Sequence, residues 1–295
     1  MTFITGKIAR EAVDIACRGE NSTYLYGEEG EEGIPWDVWG IACLLAGTAP
    51  TSPYAAWPAP DDPVAKAIAG LVHCKSADVL RVMRVVQDDG RICLAGAILD
   101  GVDLRMVTMQ ADMTGVSLVG AKLADAILSD SDLTRAKMAG ADLHGAHLSN
   151  ATLCAAGLSE ANLDGATLIG ADFSRAVLRA TTLTGADLSD AQLPDADLTN
   201  AVLHGAIMRW VKMRGANLTG ADLTGANLCD ADLSGADLTG AKLYKADMSG
   251  AKLTGAKLCK ADLTRAILRD ADTTGADFTD VSGCPITHRE GAGAS

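Results

Sequence analysis

Aromatic side chains are scarce in this chain: they make up 4% of its 295 residues, with only three Phe. A conventional α/β enzyme of this length carries more, because aromatic rings supply much of the buried area of an ordinary core. Positive charge is scarce too. Against 38 Asp and Glu there are 25 Lys and Arg, leaving a formal net charge of −13 and a pI near 4.7. A protein held to phosphates or to anionic lipid needs clustered basic residues, so neither nucleic acid nor a membrane surface is expected as a partner. Long apolar runs are missing as well. The longest, residues 41–46, is far short of the roughly 20 residues that span a bilayer. Residues 1–20 lack a basic start, an apolar run and a small-residue cleavage site, so no secretory signal is read and a cytoplasmic protein is expected. Eight Cys are present without a CxxC pair or zinc-like spacing, which favours single thiols in a reducing compartment over a disulfide framework or a metal site.

What the chain does have is a period of five. From residue 111 to residue 280 it repeats as Ala-x-Leu-x-x, giving 34 units whose central residues run from Met113 to Phe278. Of these centres 26 are Leu, five are Met, two are Phe (Phe173, Phe278) and one is Thr273. Two residues before the centre, 30 of 34 positions are Ala; the exceptions are Val116, Ser131, Thr181 and Val211.

Neither regular element has this period. In a helix the centres would walk around the axis by about 140° per unit and form no face, and in a strand they would alternate between faces. The pattern makes sense if each unit turns a corner and restarts, so that every Leu and Ala points to one axis. The second residue after the centre agrees: it is Gly, Asp or Asn in 25 of 34 units, the residues that tolerate positive φ in a turn. Asp or Asn often precedes the centre, where a short polar side chain can bond local backbone.

Stretches such as Ala216-Asn217-Leu218-Thr219-Gly220 resemble the pentapeptide-repeat family, and the resemblance covers residues 91–280. It implies a mainly β protein, a right-handed quadrilateral β-helix with four units per coil. At about 4.8 Å per coil the stack would be roughly 40 Å long. Each side, five residues, spans at most about 17 Å, so the rod is about as wide as duplex DNA.

Four further centres, Leu94, Leu99, Leu104 and Met109, precede the main run but stand out of register by one, since Met109 and Met113 are four residues apart. A distorted corner is expected near residues 108–111, with the coil continuing through it. The larger Ile92, Val102 and Val107 suggest a first coil that widens toward a cap. Residues 1–90 read differently. Capping residues and apolar spacing predict four short helices: one after Thr5 ending at Gly19, then residues 36–46, 63–73 and 77–88, broken by an acidic loop and a Pro-rich connection. The expected division is a small α-helical N-terminal cap or partner domain over 1–90, the repeat solenoid over 91–280 and a flexible tail over 281–295.

Chemistry is not evident. The five His (His73, His144, His147, His204, His288) are scattered, Ser and Thr lack a His/Asp partner arrangement, and no phosphate-cradling loop is present. The reading is therefore non-enzymatic, with no cofactor, no metal and no catalytic residue. With four units per coil, one face collects Asp130, Asp187, Asp190, Asp230, Asp247 and Asp270 against Arg209 and Arg269, for a net −4, while the other three faces sum to −1 each. The same face carries Ile127, Ile169, Ile207, Trp210 and Ile267. Those six Asp with Ile207 and Trp210 form the expected protein-binding surface. Thr273 breaks the Leu ladder, so the coil end around Thr273, Phe278 and Val281 is the expected interface of a homodimer.

The best-understood members of the family are bacterial quinolone-resistance proteins that imitate DNA and protect DNA gyrase or topoisomerase IV from drugs or toxins. The resemblance implies such a partner here. This chain departs in its long N-terminal segment and its uninterrupted coils. Two alternatives stand beside that reading: a scaffold or regulatory module whose helical N-terminal domain selects the partner, and a DNA mimic aimed at another DNA-binding protein.

Overall fold

A computed structural model describes residues 92–283, 285 and 286. The helices expected within residues 1–90 lie outside the described residues. From the first described residue the backbone coils. The short strands β1 (Ile92–Cys93) and β2 (Ala111–Asp112) pair in parallel, and every later coil is tied to the next by single parallel bridges. From Asp112 to Asp262 the bridges link residues 20 apart, as in Asp112 to Asp132 and Asp197 to Asn217. Four five-residue units thus make one turn of a four-sided β-helix.

The unit explains itself through its amides. In residues 216–221, Leu218 N–H donates to Asp237 O at 2.7 Å and Gly220 N–H to Thr239 O at 2.9 Å in the following coil. Asn217 N–H donates to Ala196 O at 2.9 Å in the preceding coil, and Ala221 N–H closes the corner on Leu218 O at 3.0 Å. Only the Thr219 N–H is left, and the Asn217 side chain accepts it at 3.1 Å. Asp residues before other centres do the same for Thr134, Ser174, Thr199 and Thr239. Each N–H of the unit therefore has a partner without any long strand. This is the local bonding expected of Asp and Asn at that position.

Each corner is a four-residue turn with positive φ at its third residue, the type II pattern. From Gly115 to Asp280 all 34 such residues lie between +52° and +69°. Nine of them are neither Gly, Asp nor Asn, Arg135, Ala155, Trp210 and Lys245 among them. A left-handed conformation costs such residues about 1–2 kcal/mol each. The inter-coil bonds on either side hold them there, so the coil repeats its geometry where local propensity would not.

Inside, the centres and the Ala column fill the axis. Leu118, Leu198 and Leu238 are fully buried, as is Phe173, and the buried cluster extends from Leu94 to Leu268 with Met109 partly buried against it. Ala suits its position because it lies inside the corner. Most Ala corners close near 3.0 Å, and so does Val116, while Thr181 and Val211 close at 3.3 and 3.4 Å.

The one-residue slip falls where expected. The first coil pairs residues 19 apart, Ile98 to Ser117 and Thr108 to Ile127, so it closes with one residue fewer than the rest instead of widening. At the other end, Ser282 bridges Asp262 and Ile286 bridges Ile267. Residues 281–286 thus continue the coil, and the tail does not begin at 281; backbone pairing persists after the Ala-x-Leu pattern has stopped. Here the interior loses its cover: Ala271, Ala276, Phe278 and Val281 are only partly buried.

Candidate functional site

The bridges decide which residues share a face. One ladder runs Thr108, Ile127, His147, Thr167, Asp187, Ile207, Asn227, Asp247, Ile267 and Ile286, each residue bridged to the next. The corners beside it carry Asp130, Asn150, Gly170, Asp190, Trp210, Asp230, Gly250 and Asp270, at steps of 20 residues along the same edge. The acids and apolar residues that the repeat pattern assigned to one face are therefore stacked along it. Ile286, beyond the Ala-x-Leu pattern, joins them through its bridge to Ile267, a placement that only the pairing reveals.

The six Asp fall into two kinds. Asp130, Asp190, Asp230 and Asp270 stand exposed at corners. Asp187 and Asp247 precede a centre and are half-buried. Their carboxylates accept the backbone N–H of Ser189 and Ser249 at 3.0 Å and their hydroxyls at 2.6 Å. Burial raises the Asp247 carboxyl, but the bonds from Ser249 and Cys229 and the charge of Arg269 outweigh it and hold it below the usual carboxylate range. These two acids cap backbone, whereas the corner acids project their charge to solvent. Asp230 also leans over the next coil, its carboxylate lying where a Cβ on Gly250 would go.

Apolar side chains are exposed along the same face. Ile127 is 42% exposed, Ile169 39%, Ile207 40% and Trp210 44%. The Arg209 guanidinium lies over the Trp210 ring, 4.3 Å from its centroid. This cation–π contact turns one of the two basic residues of the face toward the ring. The adjacency of Arg209 and Trp210 was the signal for it, and charge counting alone missed it. The ion pairs among the described residues lie on other faces: Arg179 with Asp197, Lys242 with Asp222, Lys257 with Asp237 and Arg105 with Asp103.

The remaining candidates for chemistry stay apart. His144 and His204 share a slot three coils apart, at roughly 4.8 Å per coil about 14 Å. Cys154, Cys229 and Cys259 are free thiols. Burial raises the Cys154 and Cys229 thiols, and the Asp277 carboxylate raises that of Cys259, so each holds its proton more firmly than an ordinary thiol. Among the described residues no group of three or more His, Cys, Asp or Glu could hold a metal ion. Among those residues, too, no helix is long and apolar enough to cross a membrane. At the C-terminal coil end Thr273, Phe278 and Val281 lie on the last turns, each partly exposed.

Comparison with known proteins places this geometry. The family model described as pentapeptide repeats matches in eight copies, over stretches running from residue 111 to residue 282. No curated protein gives a match. Among solved structures, HetL from the cyanobacterium Nostoc sp. strain PCC 7120, a pentapeptide repeat protein involved in heterocyst differentiation regulation, is 32% identical. The match covers 63% of this chain and 86% of HetL, with a TM-score of 0.35. QnrB1 in its trypsin-treated form, a plasmid-mediated fluoroquinolone resistance protein, is 19% identical, covering 65% of this chain and 89% of that one, with a TM-score of 0.42. A pentapeptide repeat protein of the Arabidopsis thaliana thylakoid lumen is 34% identical over 35% of this chain and 71% of its own, with a TM-score of 0.21. With its family model matched over more than half its length and 20-residue coils built from five-residue units, the chain belongs to the pentapeptide-repeat family.

Proposed function

We propose that the protein is a non-enzymatic binding rod that acts by presenting its acidic face to the basic DNA-binding groove of another protein, as a DNA mimic, with DNA gyrase or topoisomerase IV as the target class. One observation carries this reading: the face laddered through Asp187, Ile207 and Asp247 holds four of the seven net negative charges of residues 111–280, and no ion pair among the described residues falls on it. A rod of that charge is drawn to a basic groove by long-range attraction, which raises the rate of encounter. The core is filled by Leu and Ala along its length, which suits a docking surface better than an enclosed active site.

The test is a supercoiling assay with purified gyrase and with topoisomerase IV, with and without a quinolone. Protection or inhibition at micromolar protein is expected, and it should vanish when Asp190, Asp230 and Asp270 are replaced by Lys. No effect on either enzyme at that concentration sinks this target class.

The ninety residues before the repeats favour a second reading. There a helical N-terminal domain containing Trp36, Trp39 and Trp57 chooses the partner and the rod is a spacer. Deletion of residues 1–90 separates the two: it leaves docking through the acidic face intact under the first and abolishes partner binding under the second. In either case the protein acts as a homodimer, joined through the coil end at Thr273, Phe278 and Val281, where the interior is partly exposed.

A further inference from the structure

Imitation of DNA calls for regularly spaced acids, and it does not call for exposed isoleucine and tryptophan. Yet Ile207 and Trp210 stand exposed in one coil near the middle of the acidic face, with Ile169 exposed two coils before them. Ile207 bridges Asp187 on one side and Asn227 on the other, and Ile169 lies in the coil before Asp187. Trp210 stands on the corner edge between Asp190 and Asp230, each one coil away, so the backbones of those two acids are roughly 10 Å apart with Trp210 between them. Asp187, bridged to Ile207, is half-buried and held in place by Ser189, and Asp247 lies two coils beyond Ile207, held by Ser249. The indole is 44% exposed at a φ of +57°, a conformation that bulky side chains rarely adopt. An apolar centre surrounded by polar groups is the arrangement of an interface hot spot.

The charge says what covers it. A second copy docking by the same face would set acid against acid. Residues 1–90 are themselves acidic, with seven Lys and Arg against 13 Asp and Glu, and residues 281–295 hold one Arg and one Glu. Neither terminal segment carries net positive charge and the same face of a second copy repels, which favours a different protein with basic residues as the occupant. We propose that Ile207 and Trp210 form an anchor site for a protein segment that carries an apolar side chain flanked by Lys or Arg. The basic residues lie against Asp190 and Asp230, and the apolar side chain packs on the indole and Ile207. This rests on the docking reading of the same face and specifies the partner's chemistry there.

The experiment compares two fluorescein-labelled peptides of equal charge binding to the full chain: an octamer of Lys, and a decamer of eight Lys with two Leu at its centre. Binding is followed by anisotropy at low and high salt. The Leu-containing peptide is expected to bind at least about tenfold more tightly, the scale of one hot-spot residue. The preference should disappear in Trp210→Gly and in Ile207→Ser, where the two peptides bind with equal affinity. Trp210→Gly keeps the corner in a conformation that Gly adopts freely, so loss of folding does not confuse the result. In Asp190→Lys/Asp230→Lys both peptides should bind weakly. Equal binding of the two peptides, or a preference that survives Trp210→Gly, overturns the anchor and leaves the acidic docking face standing. If neither peptide binds above a control in which all Lys are Gln, both fall.

Discussion

The hydroxyl of Ser131 lies against Ala111 in the coil before it, accepting the Ala111 N–H at 3.1 Å and donating to the Met109 carbonyl at 3.3 Å. In ordinary corners an Ala N–H at this position bonds to the carbonyl of the centre three residues earlier. Between Met109 and Met113 one residue is missing, so that bond cannot form. Ser131, buried and standing where the column has Ala, takes over both groups.

Ser131→Ala restores the repeat consensus, yet it should destabilise the protein. The Ala111 N–H would be left buried, and the Met109 carbonyl part-buried, without that partner, at a cost of about 1–3 kcal/mol. Thermal unfolding of the two proteins measures this, and an unchanged or raised Tm would refute the role of the hydroxyl.

Trp210→Gly should not destabilise the protein. It relieves a left-handed tryptophan worth about 1–2 kcal/mol and gives up an exposed cation–π contact with Arg209 worth about 0.5–1 kcal/mol. The difference, between about zero and 1.5 kcal/mol, should leave Tm unchanged or raise it by a few degrees in a coil of this size. Denaturant unfolding gives the same comparison free of heating artefacts.

Acid should unfold the coil through its capping aspartates. At Asp172, Asp197, Asp222, Asp232 and Asp237, burial raises the carboxyl, but bonds from the following Ser or Thr outweigh it and leave each below the ordinary value of 3.8. Asp103, bonded by Arg105, is held at about 2. A carboxyl whose folded value is depressed contributes stability that is present above its unfolded value and lost as the pH falls through its folded one. Stability should therefore change little, or rise as self-repulsion fades, from pH 7 toward pH 5, and then fall between about pH 4 and pH 2. Tm followed by circular dichroism from pH 7 to pH 2 checks this. A flat profile below pH 4 would show that the caps contribute nothing.

Phe278→Asp should yield a monomer. It places a charge on the partly exposed coil end, where a second copy would bury Phe278 and Val281. Sedimentation velocity on both proteins decides the matter. A wild-type protein that is already monomeric at micromolar concentration removes the dimer altogether.

Much of this coil is legible in the chain itself. The alternation of Ala and Leu placed the interior residue by residue, and the four-residue step from Met109 to Met113 located the short corner. Gly, Asp and Asn marked 25 of 34 turns. The other nine, Trp210 among them, were illegible because inter-coil bonds, not local preference, hold them at positive φ. Ser131 read as an unexplained exception, since its partners Met109 and Ala111 lie 22 and 20 residues away. The division among the acids was legible as well: Asp187 precedes a centre and is half-buried and bonded to Ser189, while Asp190 occupies the turn position and stands exposed at a corner.

A period of five, by itself, determined that the chain bends at every unit and that Leu and Ala share an interior. These are consequences of side-chain burial and turn preference acting over a few residues. It did not determine how many units close a coil. That number depends on amides finding carbonyls in the neighbouring turn, and only the three-dimensional structure, with its bridges between residues 20 apart, decided that Asp190, Trp210 and Asp230 stand in one line.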